Sequence, residues 1–224
     1  VYSAAAYYDT IDCLFTNASE YGREFAGVLL SLCDTGRSVS VLNEQRLSEY
    51  GLDDYDIIVV PNAVTLGDGV KEKLSDYAKA GGNLVLCGTD TVKYFVSDLG
   101  AKVIREYASD PVMRIEGKDY KVEVRKNYAN VEWSGAESFA TMVEGLVDGD
   151  MKCENPPPSI NFEGEKMSAF LKKSFGKGTV ALMPVNLGRF YAEERTFEAA
   201  EMLKECFASY GAGRVSINTP GDAE

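Results

Sequence analysis

Four strand-like runs punctuate the first 90 residues: "IDCLFT" at 11–16, "SVSVLN" at 38–43, "YDIIVVPN" at 55–62 and "NLVLCG" at 83–88. Between them the apolar residues change period. Tyr21, Phe25, Val28, Leu29 and Leu32 recur on one face of a helix that Asn17 or Ser19 caps and Gly36 ends. "EQRLSEYGL" reads as a short helix or loop. Over 65–80, Val70, Leu74, Tyr77 and Ala78 form a second stripe, with Thr65 and Asp68 as a capping box and Gly81-Gly82 as the stop. "NLVLCG" hardly alternates, which suits a central parallel strand covered on both faces. A β-α-β-(α)-β-α-β order of this kind predicts a doubly wound, mostly parallel sheet with right-handed crossovers.

The texture then changes. After a short helix near 91–98, "PVMRIEG" and "DYKVEVR" read as a hairpin turned at Gly117-Lys118. "ANVEW", "SFATMVEGL", "PSINFEG" and "KMSAFLKKSF" read as further short strands. "ENPPPS" at 154–159 is a stiff loop. "GTVALMPVN" returns to a buried strand. A helix over 195–210, burying Phe197, Ala200, Leu203, Phe207 and Tyr210, precedes a last strand, "GRVSINT". The expected organisation is one α/β domain over residues 1–224, with a hairpin-rich antiparallel insertion at about 105–175.

Charge narrows the partners. A formal net charge of −12 leaves no excess of cations to neutralise phosphates, so neither nucleic acid nor an anionic membrane is an expected partner. No apolar run reaches the roughly 18 residues of a membrane span. The amino terminus shows no basic-then-apolar signal pattern, and it starts at Val1, as a processed protein or a piece of a longer chain would. The five cysteines, 13, 33, 87, 153 and 206, are odd in number and widely spaced. A disulfide framework is not expected, and buried reduced thiols in a cytoplasmic setting are favoured, with Cys33 and Cys206 near apolar helix faces.

There is no histidine. This removes the commonest general base, every triad built on it and every histidine-containing zinc site. "FGKGT" at 175–179 lacks the full phosphate-loop pattern and lies between two strands, so it reads as a hairpin turn. No glycine fingerprint for a dinucleotide follows any strand. "LDDYD" at 52–56 clusters carboxylates without the rest of a calcium loop and reads as solvated. Glu193 and Glu194 read as the acidic opening of the last helix. No cofactor, metal ligand set or catalytic carboxylate pair is expected. Cys87 ends a buried strand where a nucleophile could stand. The elbow pattern Gly-x-Cys-x-Gly is broken by Val85 and Thr89, so a packed thiol is expected.

"DYDIIVVPNAVTLGDGVKEKLSDYAKAGGNLVLCGTD" resembles the class I glutamine amidotransferase-like fold and, more narrowly, the trimerisation domain of family 42 β-galactosidases and related multidomain glycoside hydrolases. The match runs through Asp56, Pro61, Tyr77, Gly81, Gly82, Leu84 and Val85, and again through the turn Gly176, Lys177 and Gly178 of "FGKGTVALMPVNLG". It covers about 55–90 and 170–217. The resemblance implies a flavodoxin-like sheet without chemistry of its own, an oligomerisation role, and a place beside a catalytic barrel supplied by the same longer chain. Tyr7, Tyr8, Trp133, Phe190 and Tyr191 are the aromatics expected at such an interface. The alternative is an independent small-molecule-binding or enzyme domain using the crevice at the strand carboxyl ends. Asn17, Asn62, Cys87, Gly88, Thr89 and Asn186 would line that crevice.

Overall fold

A computed structural model of the chain describes residues 20–36, 38–49, 51–63, 66–108, 111–148, 159–208 and 210. The expected strands at 11–16 and 213–219, the caps Asn17 and Ser19, Cys13, Cys153, Tyr7 and Tyr8 lie outside these residues. So does most of the proline-rich loop.

Helix α1 spans Glu20–Asp34. Strand β1, Ile58–Val60, leads to helix α2, Val70–Ala80. Strand β2, Asn83–Cys87, leads to α3, Thr89–Leu99. A run of strands follows: β3 Lys102–Tyr107, β4 Val112–Glu116, β5 Lys121–Arg125, β6 Tyr128–Glu132, β7 Glu137–Glu144, β8 Leu146–Asp148, β9 Ser159–Asn161, β10 Lys166–Phe175 and β11 Gly178–Met183. Helices α4, Leu187–Glu194, and α5, Phe197–Ala208, close the described chain.

One seven-stranded sheet, ordered β1-β2-β11-β10-β7-β4-β5, organises the molecule. β2 pairs in parallel with β1 and with β11. Ile58, Leu84 and Val180 stand in one row, Val59, Val85 and Ala181 in the next, and Val60, Leu86 and Leu182 in the third. Rows of side chains alternate between the two faces. Val59, Val85, Cys87, Ala181 and Met183 pack toward α1, α4 and α5, through Val28, Leu32, Phe190, Tyr191, Leu203 and Phe207. Ile58, Val60, Leu84, Leu86 and Leu182 pack toward α2 and α3, through Leu74, Tyr77, Val92, Phe95 and Leu99. Burial on both faces is why "NLVLCG" carries no polar alternation.

The sheet as a whole is mixed rather than mostly parallel. β10, β7, β4 and β5 are antiparallel to their neighbours and continue the parallel strands without a break. The hairpin turn at Gly176 and Lys177, expected from the sequence, causes this: it lays β10 beside β11, pairing Phe175 with Gly178. The insertion then extends the sheet instead of forming a layer of its own. Among the described residues, β3–β6 and β8–β9 stand apart as two-stranded ladders. β3, which the sequence reading did not anticipate, pairs with β6 from Lys102–Glu132 to Tyr107–Tyr128.

Several boundaries differ from expectation. Ser38–Leu42 join no ladder among the described residues, although Leu42 is buried; Glu44–Glu49 form a 3-10 turn. Helix α2 begins with Gly69 in its cap position and no side-chain cap, so Asp68 belongs to the turn before it. Glu193 and Glu194 end α4 rather than open the last helix. Thr196 Oγ1 accepts the Ala199 N–H at the start of α5. Leu203, Phe207 and Tyr210 are buried as expected, whereas Phe197 is 75% exposed, because the buried stripe of α5 opens at Ala199 and runs through Met202, Leu203, Cys206 and Phe207. Cys33 is exposed, whereas Cys87 and Cys206 are buried, and all three are free. Phe190, Tyr191 and Trp133, expected at a domain interface, are buried in the chain's own core; Trp133 Nε1 donates to the Leu99 carbonyl at 2.9 Å.

Candidate functional site

The carboxyl ends of β1, β2 and β11 converge, and with them Asn62, Gly88, Thr89 and Asn186. Asn17, proposed from sequence to share this crevice, lies outside the described residues. The convergence makes a knot of hydrogen bonds. The Asp90 N–H donates to Asn62 Oδ1 at 2.8 Å, and Asn62 Nδ2 donates back to Asp90 Oδ2 at 3.1 Å. The Thr89 N–H and hydroxyl both donate to Asn186 Oδ1, at 3.1 and 3.4 Å. The Ala63 N–H donates to Thr91 Oγ1 at 2.6 Å. The first N–H groups of a helix have no partner within it. Here the strands on either side of β2 supply those partners for α3, one amide each.

Gly88 is the corner of the knot. Its φ of 91° lies in the region that favours glycine, and a Cβ there would stand 2.4 Å from Asn62 Oδ1. Its N–H donates to the Met183 carbonyl at 2.9 Å, tying the corner to β11. Asn62 and Asn186 are each only 2% exposed. Asn62 is engaged with Asp90 and Asn186 with Thr89, as buried polar groups call for. Asp90 stays accessible at the rim, where Lys93 bridges it to Glu106 at 3.2 and 3.1 Å.

Cys87 faces the other side of the sheet. Its thiol donates to Glu24 Oε1 at 3.8 Å. Glu24 comes from α1 and is fully buried. Its carboxylate accepts the Gly188 N–H at 2.9 Å and the Arg189 N–H at 2.7 Å, capping α4 from a different helix. Burial pushes the Cys87 thiol well up, and the Glu24 charge adds to it. Burial of this kind disfavours the thiolate, the reactive form of a cysteine. Burial likewise raises the Cys206 thiol. Sequence reasoning missed Glu24, yet a signal was present. It stands between Tyr21 and Val28 on the apolar face of α1, where a charged residue needs a buried partner.

The helix pair above Cys87 is tightly joined. A Cβ on Gly27 would lie 1.7 Å from the Gly188 carbonyl oxygen, so the α1 and α4 backbones touch. Tyr191 donates its hydroxyl to Asp34 Oδ2 at 2.8 Å. Lys126 Nζ, nearly buried, pairs with Glu193 at 2.6 Å, and Arg189 Nε pairs with the same carboxylate at 2.9 Å. Burial alone would raise the Glu193 carboxyl, but Lys126 and Arg189 outweigh it and hold it below its ordinary value.

At the opposite, amino-terminal end of the parallel strands lies a cleft of about 440 Å3, lined by Asp53, Tyr55, Asp56, Tyr77 and Asn83 among others. The Tyr77 hydroxyl donates to the Tyr55 carbonyl at 2.8 Å and accepts the Asn83 N–H at 3.3 Å. Asn83 Nδ2 donates to the Asp56 carbonyl, and Asn83 Oδ1 accepts the Thr179 hydroxyl. Asp53, Asp54 and Asp56 are exposed, as expected of a solvated loop. No group of three or more cysteine, aspartate or glutamate side chains that could hold a metal ion occurs among the described residues. No helix among them is long and apolar enough to cross a membrane.

Comparison with solved structures places the fold. An α-L-fucosidase, isoenzyme 2 of Paenibacillus thiaminolyticus, matches 82% of this chain at a TM-score of 0.64 and 13% identity. Gan42B, a GH42 β-galactosidase from G. stearothermophilus, matches 84% at 0.60 and 11% identity. A cold-adapted β-galactosidase from Rahnella sp. R3 matches 98% at 0.56 and 17% identity. The chain spans only 28%, 26% and 30% of those three proteins, respectively. No curated protein sequence matches it. A family model described as the β-galactosidase trimerisation domain matches residues 31–196, most of the chain. The match takes in α2, β2, the crevice knot, the antiparallel extension and α4, and the chain belongs to the β-galactosidase trimerisation domain family.

Proposed function

We propose that this chain is the assembly domain of a longer glycoside hydrolase, with no chemistry of its own. The family match over residues 31–196 carries this reading. The partners are a catalytic barrel in the same polypeptide and further copies of the protein. The crevice supports it: Asn62, Thr89 and Asn186 spend their polar groups on capping α3, and Cys87 is a protonated thiol facing a carboxylate. In this reading Asn62, Cys87, Gly88, Thr89 and Asn186 are structural residues. The sheet is a remodelled amidotransferase-like, flavodoxin-like one. Support for that kinship comes from the three parallel strands, the helices on both faces and the cysteine at a strand-to-helix corner.

The purified chain tests the chemical half. It is expected to hydrolyse no aryl-galactoside and no glutamine. Cys87→Ser is expected to be equally inactive and less stable by about 1–3 kcal/mol, the cost of a poorly satisfied buried hydroxyl. Turnover by the chain that disappears in Cys87→Ser would overturn the reading.

A further inference from the structure

We draw no further inference here: the strongest candidate, the cleft at the amino-terminal ends of the parallel strands lined by Tyr55, Tyr77 and Asn83 and rimmed by Asp53 and Asp56, carries nothing because its neutral polar groups are bonded to one another and its exposed acidic rim comes with no second feature that points to a ligand.

Discussion

The two halves of the seven-stranded sheet reach stability by different routes. In the parallel half, β1, β2 and β11 are short, without charge, and covered on both faces. Their carboxyl ends are held by side-chain amides rather than by turns. In the antiparallel half, β4 and β5 are joined by a tight turn in which the Gly117 N–H donates to the Tyr120 carbonyl, and their side chains alternate. Met113, Ile115, Val122 and Val124 point inward; Arg114 and Glu123, and Glu116 and Lys121, pair across the outer face. The charged residues along β5 also suit a strand that ends the sheet. The parallel half thus depends on long-range closure at one corner, whereas the antiparallel half is secured by local pairs repeated along each strand.

Gly88→Ala should expose that difference most strongly. Holding a side chain at φ 91° costs about 1–3 kcal/mol. The added Cβ also drives Asn62 from Asp90, leaving buried polar groups unmet at a further cost of about 1–3 kcal/mol. Urea unfolding measures the sum. A loss under about 0.5 kcal/mol, the usual surface range, would show that the corner does not hold the parallel half together.

A milder comparison sets one buried strand residue from each half side by side. Leu86→Ala, in the fully buried row with Val60 and Leu182, should cost about 2–5 kcal/mol. Val124→Ala, inside β5 near the sheet edge, removes two carbons and should cost about 1.5 kcal/mol. Equal losses would mean that the two halves are equally closed around their side chains.

The smallest effect is a pH dependence. Burial and the hydrogen bond to Asp34 push the Tyr191 hydroxyl up to about 12. Folding therefore favours the neutral phenol. That contribution is complete below pH 10 and fades as pH rises through about 12. Tyr191→Phe should flatten this part of the stability profile. An unchanged alkaline profile in Tyr191→Phe would assign the fall to other groups and leave the α1–α4 tether without its proposed weight.

The parallel half was far more legible in the sequence than the antiparallel one. β2 and α2 announce themselves through an uninterrupted apolar run and a clean stripe ended by Gly81, whose N–H closes the helix onto Ala78. These signals are local. The strands of the insertion were legible one by one, since "VMRIE" and "KVEVR" alternate as a half-buried hairpin does. The β10–β11 hairpin was legible at Gly176 as well, but the addition of β7, β4 and β5 beyond it was not, because those pairings are set by long-range register. Helix α4 escaped notice because its opening N–H groups are capped by Glu24, more than 160 positions away in the chain. Of the residues that the strand carboxyl ends suggested, Asn62, Gly88, Thr89 and Asn186 lie together, Cys87 faces the α1–α4 side and Asn17 is outside the described residues. Whether the Asn62 and Asn186 amides face outward or bond the first turn of α3 depends on distances that no sequence pattern encodes. Phe197 shows the same limit at smaller scale: Leu203, Phe207 and Tyr210 are buried as expected, but the first turn of the helix turns Ala199 inward and leaves the aromatic exposed.

The central claim is that this family of fold serves assembly here and leaves chemistry to another part of a longer protein. Multi-angle light scattering of the longer protein, with and without residues 20–210, tests it most directly. The account predicts a discrete oligomer for the whole protein and a lower oligomeric state for the deleted form at the same micromolar concentration. An oligomer that survives the deletion unchanged would contradict it.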